Sequence, residues 1–204
     1  TVGTKDGTES GTFTRELVTA SDANDQIDAL GTAILEPRLN TQQLNPFGEG
    51  EYSSTPYSAS LDVTTTATWE LWGDFYGTVS SFETLFSKYI DAGNRSWALQ
   101  KTNTHAADEL RLLIWGANSA VFVPVFSGIT DGVGSLTITL DQTDGILAYW
   151  NASPLTVSAH TQVPIVVTTA PVELGASTVL DQYSSLKIGS AKIYNTALTA
   201  AEVL

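Results

Sequence analysis

The closing stretch, Leu186-Lys-Ile-Gly-Ser-Ala-Lys-Ile-Tyr-Asn-Thr-Ala-Leu-Thr-Ala-Ala-Glu-Val-Leu204, constrains the fold more than any other part of the chain. It reads as two short alternating strands. Leu186 and Ile188 share one face with Lys187 opposed. Past Gly189 the parity changes: Ala191 and Ile193 share a face, with Lys192 and Tyr194 on the other. A small polar turn follows, then Thr199-Ala-Ala-Glu202, the spacing of a capping box that opens a short helical tail.

The same period of two runs back to Tyr52. Ala67, Trp69 and Leu71 alternate with Thr68, Glu70 and Trp72. Leu136, Ile138 and Leu140 alternate with Ser135, Thr137 and Thr139, and Ile146, Ala148 and Trp150 with Leu147, Tyr149 and Asn151. Turn signals separate them at Gly73-Asp74, Asp91-Ala-Gly-Asn94, Thr130-Asp-Gly132, Thr143-Asp-Gly145 and Ala152-Ser-Pro154. Short strands so punctuated predict a sandwich or barrel, not a parallel α/β sheet.

Five segments in order, with that ending, carry a resemblance. They are Thr66-Ala-Thr-Trp-Glu-Leu-Trp72, Thr84-Leu-Phe-Ser-Lys88 with Ser96-Trp-Ala-Leu99, Glu109-Leu-Arg-Leu-Leu-Ile-Trp115, Asp144-Gly-Ile-Leu-Ala-Tyr-Trp-Asn151 and Pro171-Val-Glu-Leu-Gly-Ala176. Together they resemble the laminin-G-like (concanavalin A-like lectin/glucanase) jelly-roll domains, including those of bacteriophage virion surface proteins. The resemblance implies an all-β jelly-roll sandwich. Asn151-Ala-Ser departs from the family's usual Asp/Asn-Gly turn, which alters one hairpin tip.

Residues 1–50 read differently. Thr1 to about Thr12 is a polar Gly/Thr-rich arm, and Ser21 to Glu36 has helical spacing, with Ala23, Ile27, Leu30 and Ile34 on one face and Pro37 as its stop. The expected organisation is thus an arm and amphipathic helix over 1–50, a jelly roll over 51–204, and a C-terminal helical turn. The N-terminal part either attaches to a particle or packs on its own sandwich.

Lys+Arg 9 against Asp+Glu 22 gives a net charge of −13, a field that repels phosphates and anionic membrane surfaces, so neither nucleic acid nor membrane is an expected partner. With Cys 0, disulfides, thiolate nucleophiles and thiolate metal sites are excluded, and a microbial or viral source is mildly favoured.

Catalysis finds little support. The glucanases of the resembled family carry Glu-x-Asp-x-Glu on one strand, which aligns two carboxylates for nucleophile and acid roles. That spacing is missing here. Glu49-Gly-Glu51 is the nearest pair and sits in a Gly-rich connector. The histidines, His105 and His160, read as loop residues with no nucleophile elbow nearby.

Laminin-G-like domains often hold a rim Ca²⁺, and the resemblance makes Asp141, Asp144 and Asn151, with Asp131 beside them, its candidates. Each also suits a β-turn through local backbone hydrogen bonds. Among the tryptophans, Trp72, Trp115 and Trp150 are the candidates for stacking on sugar rings or binding a partner, with burial in the sandwich as the alternative. The leading expectation is a non-catalytic structural or recognition protein on a phage-type virion surface, homo-oligomeric and contacting the major capsid or other virion proteins. The alternative is a secreted, extracellular carbohydrate-binding lectin whose partner is a surface glycan; a glycoside hydrolase comes third.

Overall fold

The alternating segments pair, in a computed structural model that describes residues 32–35, 52–91, 93–116, 121–159 and 164–203. In chain order the strands are β1 (Thr32–Leu35), β2 (Ser53–Thr55), β3 (Thr66–Asp74), β4 (Glu83–Tyr89), β5 (Arg95–Lys101), β6 (Glu109–Trp115), β7 (Val121–Phe122) and β8 (Val125–Ser127). There follow β9 (Val133–Asp141), β10 (Gly145–Trp150), β11 (Ser153–Pro154), β12 (Thr156–Val157), β13 (Val172–Leu174), β14 (Ala176–Ser177), β15 (Gln182–Tyr183) and β16 (Lys187–Tyr194). One sheet runs β1-β16-β3-β9-β10-β11 and the second β12-β8-β6-β5-β4-β13-β2, all pairings antiparallel. This is the expected all-β jelly-roll sandwich.

Alternation places the core. Trp69, Leu71, Leu136, Ile138, Leu140, Ile146, Ala148, Ile188, Ala191 and Ile193 point from the first sheet into one cluster with Leu85, Phe86, Trp97, Leu99, Leu110, Leu112 and Ile114 of the second. Trp69 meets Trp97 edge-on across the gap at 5.6 Å between ring centroids, and Phe86 meets Trp97 at 4.9 Å. Such tilted aromatic pairs add stabilisation beyond the area they bury.

Two lysines also point into the space between the sheets. Lys88 follows Phe86 at core parity and lies opposite Trp97 and Val172. Lys101 follows Trp97 and Leu99 in the same way. Each is neutralised or solvated at one end of the core: Lys88 by Asp62, and Lys101 by the Phe75 and Ala107 carbonyl oxygens at 3.1 and 2.6 Å. Buried charge is tolerated only with such partners.

The closing stretch forms one strand rather than two. The parity change at Gly189 is a bulge: Ile188 pairs with Gly73, Ser190 with Trp72, and Gly189 is the extra residue between them. After β16 the chain crosses back over β3, where Thr66 Oγ1 and Thr68 Oγ1 donate to the Asn195 and Thr196 carbonyls and Leu198 N donates to Thr68 Oγ1. The tail ends in a single turn. Glu202 accepts from the Thr199 backbone N–H at 2.8 Å, as in a capping box, but the Thr199 hydroxyl donates to the same carboxylate instead of accepting a backbone N–H.

The helix expected over 21–36 does not extend through its second half. Thr32–Leu35 is a strand laid antiparallel on Ala191–Tyr194. An open edge of β16 offers a ladder of unsatisfied N–H and C=O groups, and pairing with it outweighs a helical periodicity that carries only local hydrogen bonds. The remaining part of that helix, the arm before it, the boundary near residue 50 and the Glu49/Glu51 connector lie outside the described residues. No helix among those described is long and apolar enough to cross a membrane.

Candidate binding site

Where the C-terminal crossing stops, the outer face of the first sheet opens. The strand registers order its side chains in rows. Ser190, Trp72 and Ser135 lie side by side on β16, β3 and β9. The next row is Lys192, Glu70, Thr137 and Tyr149, and the third is Tyr194, Thr68, Thr139 and Leu147. Glu70, Trp72, Ser135, Ser190 and Lys192 line a shallow groove of about 250 Å³ floored by Leu71.

Trp72 is 40% exposed, whereas Trp69 three residues earlier is 1% exposed and belongs to the core. Its six-membered ring lies over Gly189: a Cβ there would overlap Cε3 and Cζ3 of the indole. The bulge therefore brings a bare backbone under the ring and seats it. A seated aromatic with open surface is the type of platform on which a sugar's C–H face stacks.

Polar groups beside it have fixed roles. Glu70 Oε2 accepts from the Tyr194 hydroxyl at 2.9 Å and faces Lys192 Nζ at 3.6 Å. Burial, reinforced by the hydrogen bond to Glu70 and its charge, holds the Tyr194 pKa well above the ordinary tyrosine value, so this phenol stays a donor. Ser135 and Ser190 add hydroxyls on either side of the indole. The arrangement offers a stacking surface, two hydroxyls, a carboxylate acceptor and an ammonium donor within one groove.

The other two tryptophan candidates do not join it. Trp150 is 4% exposed on the core side of β10, packed edge-on against Phe75 at 5.9 Å, with its Nε1 donating to Thr130 Oγ1 at 2.9 Å. Its core parity with Ile146 and Ala148 leaves no ring face for a ligand. Trp115 does point away from Ile114, onto the outer face of the second sheet, yet it is 6% exposed there. Tyr89, Ala98 and Leu113 pack around it, and the Arg95 guanidinium sits 5.8 Å from its ring centroid.

The calcium candidates do not converge either. Asp141 and Asp144 belong to the β9–β10 turn, where Asp141 Oδ1 accepts from Thr143 N at 2.7 Å and Asp144 N at 3.2 Å. Asn151 lies past the far end of β10, its Oδ1 accepting from Ser135 N at 2.9 Å. A strand of six residues separates them, roughly 20 Å at 3.3 Å per residue. Asp131, ahead of β9, falls at the Asn151 end. These residues do not fit one Ca²⁺ shell, and among the described residues no cluster of three or more His, Cys, Asp or Glu could hold a metal. A local turn bond explains Asp141, and Asn151 sits at a left-handed φ of 49° with its side chain tied across the hairpin to Ser135.

His105 lies half-buried in the β5–β6 loop, where burial, with the nearby Arg111 charge, lowers its pKa. His160 is outside the described residues. Two carboxylates, Glu83 and Glu173, are buried and occupied: Glu83 accepts from Ser185 N and its hydroxyl, Glu173 from Thr178 N and its hydroxyl.

Glu70, Lys192, Tyr194, Ser135 and Ser190 were not among the expected site residues. They are brought together by pairings between residues more than 60 positions apart, such as Ser135 with Trp72 and Tyr194 with Glu70. The signal in the sequence was their parity: each sits opposite the core positions of its own strand.

The family model described as concanavalin A-like lectin/glucanases superfamily (Laminin_G_3) matches residues 47–204. No curated protein sequence matches the chain. Among solved structures, the botulinum neurotoxin serotype G binding domain is similar at a TM-score of 0.59 and 14% identity, over 76% of this chain and 40% of that one. The serotype D ligand-binding domain in complex with N-acetylneuraminic acid is similar at 0.56 and 13%, over 76% and 39%. A Ruminococcus gnavus IT-sialidase CBM40 bound to α2,3-sialyllactose is similar at 0.57 and 12%, over 74% and 89%. The chain thus spans about two-fifths of the toxin domains and most of the CBM40. At such identities these likenesses show a shared fold.

Proposed function

This chain belongs to the concanavalin A-like lectin/glucanase superfamily, and from that premise we propose that it is a non-catalytic glycan-recognition module whose binding surface is the groove beside Trp72. The observation that carries the reading is the exposed indole seated over Gly189, flanked by Ser135, Ser190, Glu70 and Lys192. Apolar stacking with a few placed polar groups is how sugars are held without chemistry. The volume, below the roughly 300–1,000 Å³ of enclosed small-molecule pockets, suits a sugar unit at a shallow surface and a modest affinity raised by multivalency. The relatives named above are binding domains, two of them with sialic acid or a sialylated sugar bound, and this supports recognition over hydrolysis.

The virion-surface setting expected from the sequence has no structural observation in its favour, so glycan recognition replaces it as the leading reading. A glycan panel, followed by ligand-observed NMR titration of wild type and Trp72→Ala, tests the proposal. Binding that Trp72→Ala abolishes is the expected result. Failure of every glycan to bind, or binding indifferent to Trp72, sinks it, and release of reducing sugar would overturn the non-catalytic part.

A further inference from the structure

We infer that the groove is selective for neutral glycans and discriminates against acidic ones, unlike those relatives whose structures contain N-acetylneuraminic acid or sialyllactose. The inference rests on the glycan reading of the same groove and concerns its charge. One lysine, Lys192, lines the groove beside the exposed indole, and it stands across the ladder from a carboxylate, Glu70; Lys187, across from Asp74 in the row beyond, is not part of the lining. Lys192 Nζ is 3.6 Å from Glu70 Oε2, so its charge is already compensated. Glu70 in turn is held as an acceptor by the Tyr194 hydroxyl.

A bound sugar carboxylate loses water and needs cationic donors in return, best supplied by a guanidinium that grips both oxygens. The arginines among the described residues, Arg95 and Arg111, stand on β5 and β6 of the opposite sheet. Neither lines the groove. Among the described residues that line the groove, a sialic acid would meet the Lys192–Glu70 pair, whose charges offset each other, and no second cation, against the background of a chain with net charge −13. Like charges brought together at an interface disfavour the partner that carries them. A neutral hexose meets no such opposition. Its C–H face stacks on Trp72, and its hydroxyls find Ser135, Ser190, Glu70 and Lys192, a set containing both donors and acceptors.

The test uses matched pairs of oligosaccharides that differ only in a terminal sialic acid, lactose and sialyllactose among them, titrated against wild type, Trp72→Ala and Glu70→Gln. Wild type is expected to bind neutral members about tenfold or more tightly than their sialylated partners. Glu70→Gln removes the opposing charge and releases Lys192, so the sialylated series gains several-fold and the gap narrows; a melting curve confirms that this half-buried substitution leaves the fold intact. Equal or tighter binding of the sialylated members by wild type, through Trp72, overturns the selectivity and leaves the glycan reading standing. An unchanged gap in Glu70→Gln also overturns it, because the charge pair would then not be its origin. If neither series binds, the glycan reading fails and this inference with it.

Discussion

The indole of Trp72 lies where a side chain at Gly189 would project, so the two residues on neighbouring strands share one space. The bulge at Gly189 thus has two consequences. It lets β16 present Ile188 and Ala191 to the core despite their odd separation, and it leaves a bare backbone on the outer face for the ring to rest on. Fold and candidate site meet at that one residue.

Gly189→Ala is accordingly expected to disturb the ring rather than the sandwich. The added methyl overlaps Cε3 and Cζ3 and pushes the indole off its seat, at a cost of about 1–3 kcal/mol, the usual range for overpacking. Chemical denaturation should show that loss, and glycan titration a larger loss of binding than of stability. A Gly189→Ala protein that binds as tightly as wild type would show that the seat of the ring does not matter.

Trp72→Ala and Trp150→Ala should separate binding from stability. Trp72 is exposed, so its truncation should change stability by no more than about 1 kcal/mol while removing glycan binding. Trp150 is walled in by Phe75 and hydrogen-bonded to Thr130, so its truncation should cost about 3–5 kcal/mol. Denaturation midpoints of the two variants decide the matter, and the reverse order would refute the assignment of Trp150 to the core.

How much was readable beforehand follows from what each pattern reports. Period-two alternation is a property of the strand itself, so the inward set Ala67, Trp69, Leu71 and the outward Trp72 could be read directly. Alternation also put Trp150 with Ile146 and Ala148, and its candidacy as a binding residue ran against that parity. For Trp115 parity was correct but insufficient, because what packs over an outer face comes from other strands, here Tyr89. The calcium candidates share composition but not place, since a turn and the far end of a hairpin look adjacent only in sequence. The inward lysines keep core spacing in Phe86–Lys88 and Leu99–Lys101, but what permits their burial, Asp62 and the Phe75 and Ala107 carbonyls, lies outside their own strands.

The Lys88–Asp62 pair offers a third expectation. Lys88 is buried, and Tyr57 completes its surroundings, with its ring centroid 5.1 Å from Nζ and its hydroxyl donating to Asp62 Oδ2 at 3.2 Å. Asp62→Ala strands a buried cation and should cost about 3–5 kcal/mol. Replacing both partners, Lys88→Met with Asp62→Leu, removes the charge and its penalty together and should restore most of that loss. Equal destabilisation by the single and double variants would mean that packing, not the unpaired charge, sets the cost.

Lys101 makes stability depend on pH in a direction opposite to that of a salt-bridged lysine. Burial pushes its pKa down from 10.5 to about 8, against the opposing pull of Asp108, Glu109 and Glu83. Below pH 8 both folded and unfolded chains carry the proton, and the full penalty of burying the charge is present. Between about 8 and 10.5 the folded protein has released the proton and the unfolded chain has not, so the unfolded state binds more protons and stability rises with pH. The gain across that window should be roughly 1–3 kcal/mol, from about 1.4 kcal/mol for each pH unit between the two pKa values, reduced for solvent screening at the ammonium end. Tyrosine ionisation adds its own slope at the upper end, so the measurement is a difference: urea unfolding of wild type and Lys101→Met at several pH values from about 7 to 10. The methionine keeps the buried stem and removes the titrating group, and wild type should gain on it steadily above pH 8. Parallel pH profiles for the two proteins would show that the ammonium, held by the Phe75 and Ala107 carbonyls, keeps its proton throughout.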